Sequence, residues 1–225
     1  RPGHPVGTST RQASTADAPG VSVATGCPIA RVGIECTSSV RASGTVYLDW
    51  LTWEGTPTVR LGPPCHDGTR WLDAWVKAVS AVLAGTDHDL RLIQDEGIGL
   101  VLQGTREWTN YVASARLTPH LARSFGLVAR AQGLRRYYAL RLVAGQAQLV
   151  RELDGTAVLA DCPYPWELYR GYDLELRVDG AAICGRIDGA EVLRATDDRL
   201  TSGAVGLLIE EGRLGADAVE VRPAR

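Results

Sequence analysis

The chain has 225 residues, is 45% hydrophobic, and carries 24 Lys and Arg against 26 Asp and Glu, a formal charge of -2. That length allows one large or two small domains with a sizeable core, and the balanced charge excludes the global positive field of a non-specific nucleic-acid binder. The apolar runs are far shorter than the roughly 20 residues of a spanning helix, so no segment is read as crossing a membrane.

The sequence contains no Met, which predicts a processed or truncated piece of a longer protein, with any leader or catalytic partner domain upstream of Arg1. Cys27, Cys36, Cys65, Cys162 and Cys184 form no C-x-x-C pair, and their odd number leaves at least one thiol unpaired within a chain. They are read as small, mostly buried hydrophobes.

Residues 1–20, rich in Pro, Gly, Ser, Thr and Ala, show no apolar periodicity and are expected to form a flexible tail. Within 21–56, the runs Ile29 to Cys36 and Thr45 to Trp53 read as the strands of a long-looped hairpin. Val46, Leu48 and Trp50 alternate there with Tyr47, Asp49 and Leu51, so one face can be buried; two strands alone are marginal in water and require a partner sheet. Residues 57–89 are expected as a linker with a short helix. Pro57, Gly62, Pro63, Pro64 and Gly68 break its first part. Trp71, Trp75, Val79 and Val82, spaced by three and four, then predict an amphipathic helix over Trp71 to Leu83.

From Leu90 to the C-terminus the pattern changes to short runs of period two, broken by turn residues at intervals of about 8–12, as in an all-β sandwich. The expected strands are Leu90–Gln94, Gly99–Gln103, Tyr111–Leu117, Phe125–Ala131, Tyr137–Val143, Gln148–Leu153, Tyr172–Val178, Ile183–Ile187, Ala204–Ile209 and Ala218–Arg222. Asp179-Gly180 and Asp188-Gly189 mark two-residue turns, because such turns need positive φ and Asp-Gly supplies it. Leu174, Leu176 and Val178 enter the first turn on one face, and Ile183 and Ile187 leave it on one face.

The run Leu174-Glu175-Leu176-Arg177-Val178-Asp179-Gly180, followed by Ile183 through Gly189, resembles the late strands of concanavalin A-like (laminin G-like) jelly rolls. Gly99 through Trp108 and Gln132 through Leu140 resemble the non-catalytic C-terminal region of bacterial ADP-ribosylglycohydrolase-family proteins. Val32-Gly33-Ile34 with Gly44 through Trp50 resembles the closing strands of a galactose-binding-like sandwich. Together these resemblances imply an accessory module over 90–225 that serves an upstream hydrolase. They also imply a glycan or ADP-ribose-like ligand. Hydrolases of that family hold two magnesium ions in acidic motifs, and no corresponding Gly-Asp or Asp-Asp-Thr cluster occurs in this chain. Catalysis is therefore not carried over, no cofactor is expected here, and the resemblance implies magnesium only for an upstream domain. Asp197-Asp198, followed by Arg199, reads as a polar turn.

Enzyme motifs are equally sparse. His4, His66, His88 and His120 stand far apart without metal-ligand spacing, and neither a G-x-S-x-G elbow nor a phosphate-binding loop is present. Glu96, Glu107, Glu175, Glu210 and Glu211 form no pair with sequence support for glycoside hydrolysis. One feature stands out. Between Tyr111 and Arg151 lie seven arginines and no Asp or Glu.

If Phe125, Leu127 and Ala129 face the core, Val128, Arg130 and Gln132 face outward; if Tyr138, Leu140 and Leu142 face inward, Tyr137 and Arg141 face outward, with Arg116 beside them. Guanidinium forks next to an aromatic ring suit a phosphate, a carboxylate or a sugar. The expected ligand surface is accordingly Gln103, Arg106, Trp108, Arg116, Arg130, Gln132, Tyr137 and Arg141. Against this, the arginines can pair across strands with Glu152, Glu175 or Asp173 and solvate the sheet, leaving a scaffold for the upstream hydrolase. A glycosidase similar to the 3-keto-disaccharide hydrolases is the third alternative, and it needs two carboxylates about 5–9 Å apart on the concave face.

Overall fold

The computed structural model describes residues 41, 43–45, 58–63, 69–85 and 87–224. The tail expected over 1–20, the strand-like run Ile29–Cys36, and the run Thr45–Trp53 beyond Thr45 lie outside the described residues. Thirteen strands occur among the described residues, joined by one 3-10 turn at Arg70–Ala74. They are β1 (Val59–Leu61), β2 (Val76–Ala78), β3 (Ala81–Ala84), β4 (Leu90–Gln103), β5 (Tyr111–Gly133), β6 (Arg136–Val143), β7 (Gln146–Leu153), β8 (Thr156–Pro163), β9 (Tyr172–Asp179), β10 (Ala182–Ile187), β11 (Ala190–Thr196), β12 (Ala204–Ala216) and β13 (Val219–Pro223).

All pairing is antiparallel, and the layers share their longest strands. The start of β5 pairs β9 on one side and β13 on the other, which extends the first layer to β11-β10-β9-β5-β13-β1. The end of β5 pairs β6 and β12, building the second layer β8-β7-β6-β5-β12-β4-β2. The inward side chains alternate as expected: Leu174, Leu176, Val178, Ile183 and Ile187 of one layer meet Tyr138, Leu140, Leu142 and Leu149 of the other in one buried core. At Gly185 the layers come so close that an added Cβ would lie 2.8 Å from Leu140 Cδ1. This is an all-β jelly-roll sandwich.

The turn chemistry is what the sequence predicts at one site and slightly shifted at the other. Asp188 and Gly189 both have positive φ, 50° and 80°, and join Ile187 to Ala190. In the first hairpin Asp179 is still paired with Ala182, so the two turn residues are Gly180 and Ala181, with Gly180 supplying the positive φ. The expected strand pairs Leu90–Gln94 with Gly99–Gln103, and Tyr111–Leu117 with Phe125–Ala131, are each one long strand with an irregularity in its middle. β8 and β11 carry half-exposed, weakly alternating sequences and were not expected.

The helix expected over Trp71–Leu83 does not form. Instead the 3-10 turn buries Trp71, Leu72 and Trp75 against the core, and β2 and β3 pair with opposite halves of β4, Val76 with Leu102 and Ala81 with Ile93. Val and Trp lose rotamer freedom in a helix, while the edge of β4 offers this segment a full ladder. With β1 paired to β13, residues 57–89 thus contribute three strands to the sandwich.

The outward alternation also fails at Arg130. Between Ala129 and Gly133 the register of β5 slips against β6, and Arg130 takes φ +49° at this bulge. The bulge re-aims the side chain inward, where it is 1% exposed. Its Nε donates to Thr109 O at 2.9 Å, Nη1 to Gly180 O at 2.8 Å and Leu200 O at 3.0 Å, and Nη2 to Asn110 Oδ1 at 3.1 Å. Its backbone N–H donates to the Tyr111 hydroxyl at 2.6 Å, and that hydroxyl donates to Gly203 O at 3.1 Å. Burial pulls the guanidinium pKa down and the Tyr111 pKa up.

A second polar knot closes the same end of the sandwich. Tyr138 donates to Asp197 Oδ1 at 2.5 Å and receives the Leu200 N–H at 3.0 Å; Arg199 N–H also reaches Asp197 Oδ1, and Arg151 pairs with Oδ2. Burial disfavours the Asp197 carboxylate, but the Tyr138 hydroxyl, the Arg199 N–H and Arg151 outweigh it and hold its pKa below the usual range.

Two outcomes follow from these knots. Arg130→Ala takes the guanidinium donor from three buried carbonyls and leaves the Asn110 amide oxygen with only the Gly180 N–H, so it should destabilise the fold by about 3 kcal/mol or more and lower Tm by roughly 6–12 °C for a domain of this size; differential scanning calorimetry measures this. Asp197 ionises more easily folded than unfolded, so its stabilisation is present above the unfolded carboxylate pKa of about 3.9 and is lost as pH falls through the lower folded value. Asp197→Asn should cost about 2 kcal/mol at neutral pH and flatten the acid limb of the stability curve measured by urea unfolding.

Candidate functional site

The eight residues expected to form a ligand surface do not share one. Arg130 is committed to the fold. Tyr137 is 4% exposed, in a second apolar cluster with Leu100, Leu102, Val128, Ala131, Ala139, Val150 and Leu208 on the face of the second layer opposite the core. Burial pushes its pKa up to about 12. Arg116 grips Asp173 at 3.0 Å, one of the cross-strand pairs the sequence allowed. Arg141 donates from Nε and Nη2 to Gln148 Oε1 at 3.0 and 2.8 Å. Gln132 donates to Ser202 O at 3.0 Å, and Gln103 is buried. Trp108 lies edge-on to Tyr111, with its ring filling the space beside Gly104. Arg106 alone of the eight is exposed without a hydrogen bond or ion pair among the described residues.

The other arginines of the acid-free stretch are dispersed as well. Arg123 pairs with Glu211 at 3.0 Å and Arg151 with Asp197. Glu175 is taken by Arg222 and Arg186. Trp166 packs against Phe125 at 5.2 Å between ring centres, a structural plug at the sandwich end as its flanking prolines suggest.

A different place collects unused chemistry. The solvent faces of β3, β4, β12 and the middle of β5, overhung by the β8–β9 loop, enclose a groove of about 610 Å³ lined by Leu83, Arg91, Ile93, His120, Leu121, Leu168, Tyr169 and Arg213. Its volume falls within the range of small-molecule sites. Strand register builds its floor. Ile93, Arg213 and Leu121 form one row across β4, β12 and β5, and Leu83, Arg91 and Gly215 form the next. The adjacent inward residues Leu90, Leu92, Leu214 and Ala216 are buried in the core, so this row must face water. Gly215 has no room for a side chain because the His88 ring covers it.

Tyr169 forms the lip. Its N–H donates to Pro119 O at 2.7 Å, pinning the loop to β5, and its backbone takes φ +64°. For an aromatic residue that conformation costs about 1 kcal/mol or more, yet the ring it positions is 73% exposed. It meets His120 edge-on at 5.6 Å, and His120 in turn meets His88 at 5.5 Å. Burial, then the neighbouring His88 and Arg91, lower the His120 pKa, so the ring is neutral at neutral pH. Its Nε2 is buried without a partner. Arg91 has Asp87 at 3.7 Å, whereas Arg213 is exposed and has no hydrogen bond or ion pair among the described residues. Leu121, 60% exposed, adds an apolar wall.

The groove thus offers an aromatic face, apolar walls and two guanidinium forks, a combination suited to holding a ring bearing polar groups. No Asp or Glu lines it, so it lacks the carboxylate pair of a glycosidase. No cluster of His, Cys, Asp and Glu able to hold a metal occurs among the described residues. Cys162 and Cys184 are free thiols, and burial, with a hydrogen bond to Glu191, pushes Cys184 up to about 11, far from a reactive thiolate at neutral pH. No helix among the described residues is long and apolar enough to cross a membrane.

No protein-family model matches the chain, and no curated protein matches it. Solved structures do. A carbohydrate-binding module, CBM66 from Bacillus subtilis, superposes with a TM-score of 0.61 at 15% identity, over 66% of this chain and 95% of that one. A protein of unknown function with a galectin-like fold, also from Bacillus subtilis, gives 0.56 at 17% identity over 76% and 97%. An alginate lyase of polysaccharide lyase family 7, AlgAT5, gives 0.50 at 13% identity over 68% and 96%. At these identities the likeness is one of fold, a jelly roll of the kind found in galectin-like proteins and carbohydrate-binding modules.

Proposed function

We propose that the chain is a non-catalytic accessory module that binds a glycan in the groove beneath Tyr169, in the service of an upstream hydrolase. The observation that carries this reading is Tyr169 itself: a strained backbone holds a large ring in water at the rim of a groove whose floor contains an unpaired arginine. Strain of that kind persists only where surrounding structure imposes it, and it concentrates at ligand sites. Support comes also from the fold, which the chain shares with a carbohydrate-binding module, although shared folds host many functions. The ADP-ribose-like ligand implied by the sequence resemblance has two arginines and an aromatic ring to meet it in the same groove, and belongs to the same test.

A scaffold role without ligand is the second reading. It draws on the pairing of Arg116, Arg123 and Arg151 with Asp173, Glu211 and Asp197, which spends those arginines on the fold. It gives no role to the groove.

Glycan-array screening followed by calorimetry, with ADP-ribose titrated in parallel, tests the proposal. Wild type should bind an oligosaccharide, and Tyr169→Ala should weaken that binding about tenfold or more, roughly 1.4 kcal/mol, with Tm little changed because the ring is exposed and alanine keeps the same Cβ at positive φ. Undiminished binding by Tyr169→Ala moves the site elsewhere. A folded sample that binds neither glycan nor ADP-ribose favours the scaffold.

A further inference from the structure

The polar side chains lining the groove are two arginines, His120 and Tyr169, whose hydroxyl accepts as well as donates at the exposed rim. Arg91 and Arg213 accept no hydrogen bonds, and the His120 Nε2 is buried. Neutral sugars present hydroxyl groups that donate as well as accept, and sites for them ordinarily need carboxylate or amide oxygens to receive those protons. None lines this groove. Its charged groups are both donor-only, and the chemistry they match best is that of an acceptor-rich, negatively charged group.

The two arginines are also placed to act together. Arg213 pairs with Ile93 and Arg91 with Gly215, so they are diagonal neighbours on adjacent strands, about 7–8 Å apart at the backbone and within reach of one anion through their long side chains. Gly215, opposite Arg91, carries no side chain of its own, and the His88 ring covers it. Arg213 has no acid to satisfy it among the described residues, and the partner of Arg91, Asp87, is exposed at a longer 3.7 Å. Leu121 and Tyr169 supply the apolar surfaces against which a sugar ring packs.

We propose that the groove selects an anionic sugar, a uronate or a sulfated residue, whose acidic group is held by Arg213 and Arg91 while its ring lies against Tyr169. This rests on the glycan-binding reading and narrows it to a ligand class. Arg213 provides the charge-assisted contact and the specificity, and Tyr169 provides contact that any pyranose can use.

The test is calorimetry of the full chain with three oligosaccharides of matched length: oligogalacturonate, a sulfated galacto-oligosaccharide and a neutral galacto-oligosaccharide. At least one anionic ligand should bind about tenfold or more tightly than the neutral one, and rising salt should erode that preference. The better of the two identifies the acidic group. Arg213→Ala should abolish the preference, Arg213→Lys should retain part of it, and Arg123→Ala, outside the groove, should leave it intact. Arg213 is exposed, so these variants should keep the wild-type Tm. Equal, Tyr169-dependent affinity for neutral and anionic ligands overturns the charge selection and leaves the glycan reading standing. An anionic preference that survives Arg213→Ala overturns the assignment to this groove. Absence of binding to all three, on a sample that binds other glycans, overturns the inference alone, and absence of any glycan binding overturns both.

Discussion

A buried arginine without a carboxylate partner organises one end of this sandwich. Arg130 sits where the long strand β5 loses register with β6, and its guanidinium ties the β4–β5 loop at Thr109 and Asn110 to the β9–β10 turn at Gly180 and the approach to β12 at Leu200. These segments belong to both layers. A buried charge is costly when unpaired, and here backbone carbonyls aimed by three separate turns meet it. The arrangement works only while all three turns keep their places, so the same bonds that solvate the charge fix the geometry of the loops. Tyr111, which receives the Arg130 N–H and donates to Gly203, adds the strand start to the knot.

That arrangement explains why strand alternation, dependable elsewhere, misplaced this residue. From Leu174 to Ile187 the sequence is regular, the turns carry glycines at positive φ, and inside and outside follow from parity alone. Parity fails wherever one residue is inserted. At Arg130 the slip turns an apparently outward arginine into the least exposed charged side chain described. Tyr137 and Ala139 do point away from the core, as parity requires, but they enter a second buried apolar cluster. Outward on a strand therefore did not mean available.

The segment after Trp71 shows the same limit from another direction. Its apolar spacing fits a helix, and two short strands form because β4 is long enough to take β2 at one end and β3 at the other. That tertiary opportunity is invisible within a local window, and Val76, Val79 and Val82 only hint at it through their preference for strands. The fold class was legible because it is the sum of many such runs. The groove was not, because its residues come from five segments scattered between Leu83 and Arg213 and meet only through strand register. The remaining signal was slight: Tyr169 and Arg170 in a loop rich in aromatics and prolines, and a lone arginine at 213 between Gly212 and Leu214.

The arginines of this chain divide by the company they keep, and that division locates the site better than their number does. Arg116 and Arg123 face carboxylates and solvate the surface, each exposed pair contributing a fraction of a kcal/mol, while Arg151 pairs with the largely buried Asp197 in the knot at the sandwich end. Arg130 faces carbonyls and holds loops. Arg213 faces neither, although its row neighbours Ile93 and Leu121 offer an apolar setting in which an ion pair would be stronger than in open water. A strand residue whose two cross-strand partners are Ile and Leu gains nothing for the fold from being charged. Its charge is left over from folding, and Tyr169, held by its loop in a conformation a non-glycine backbone does not favour, stands at the rim of the same groove.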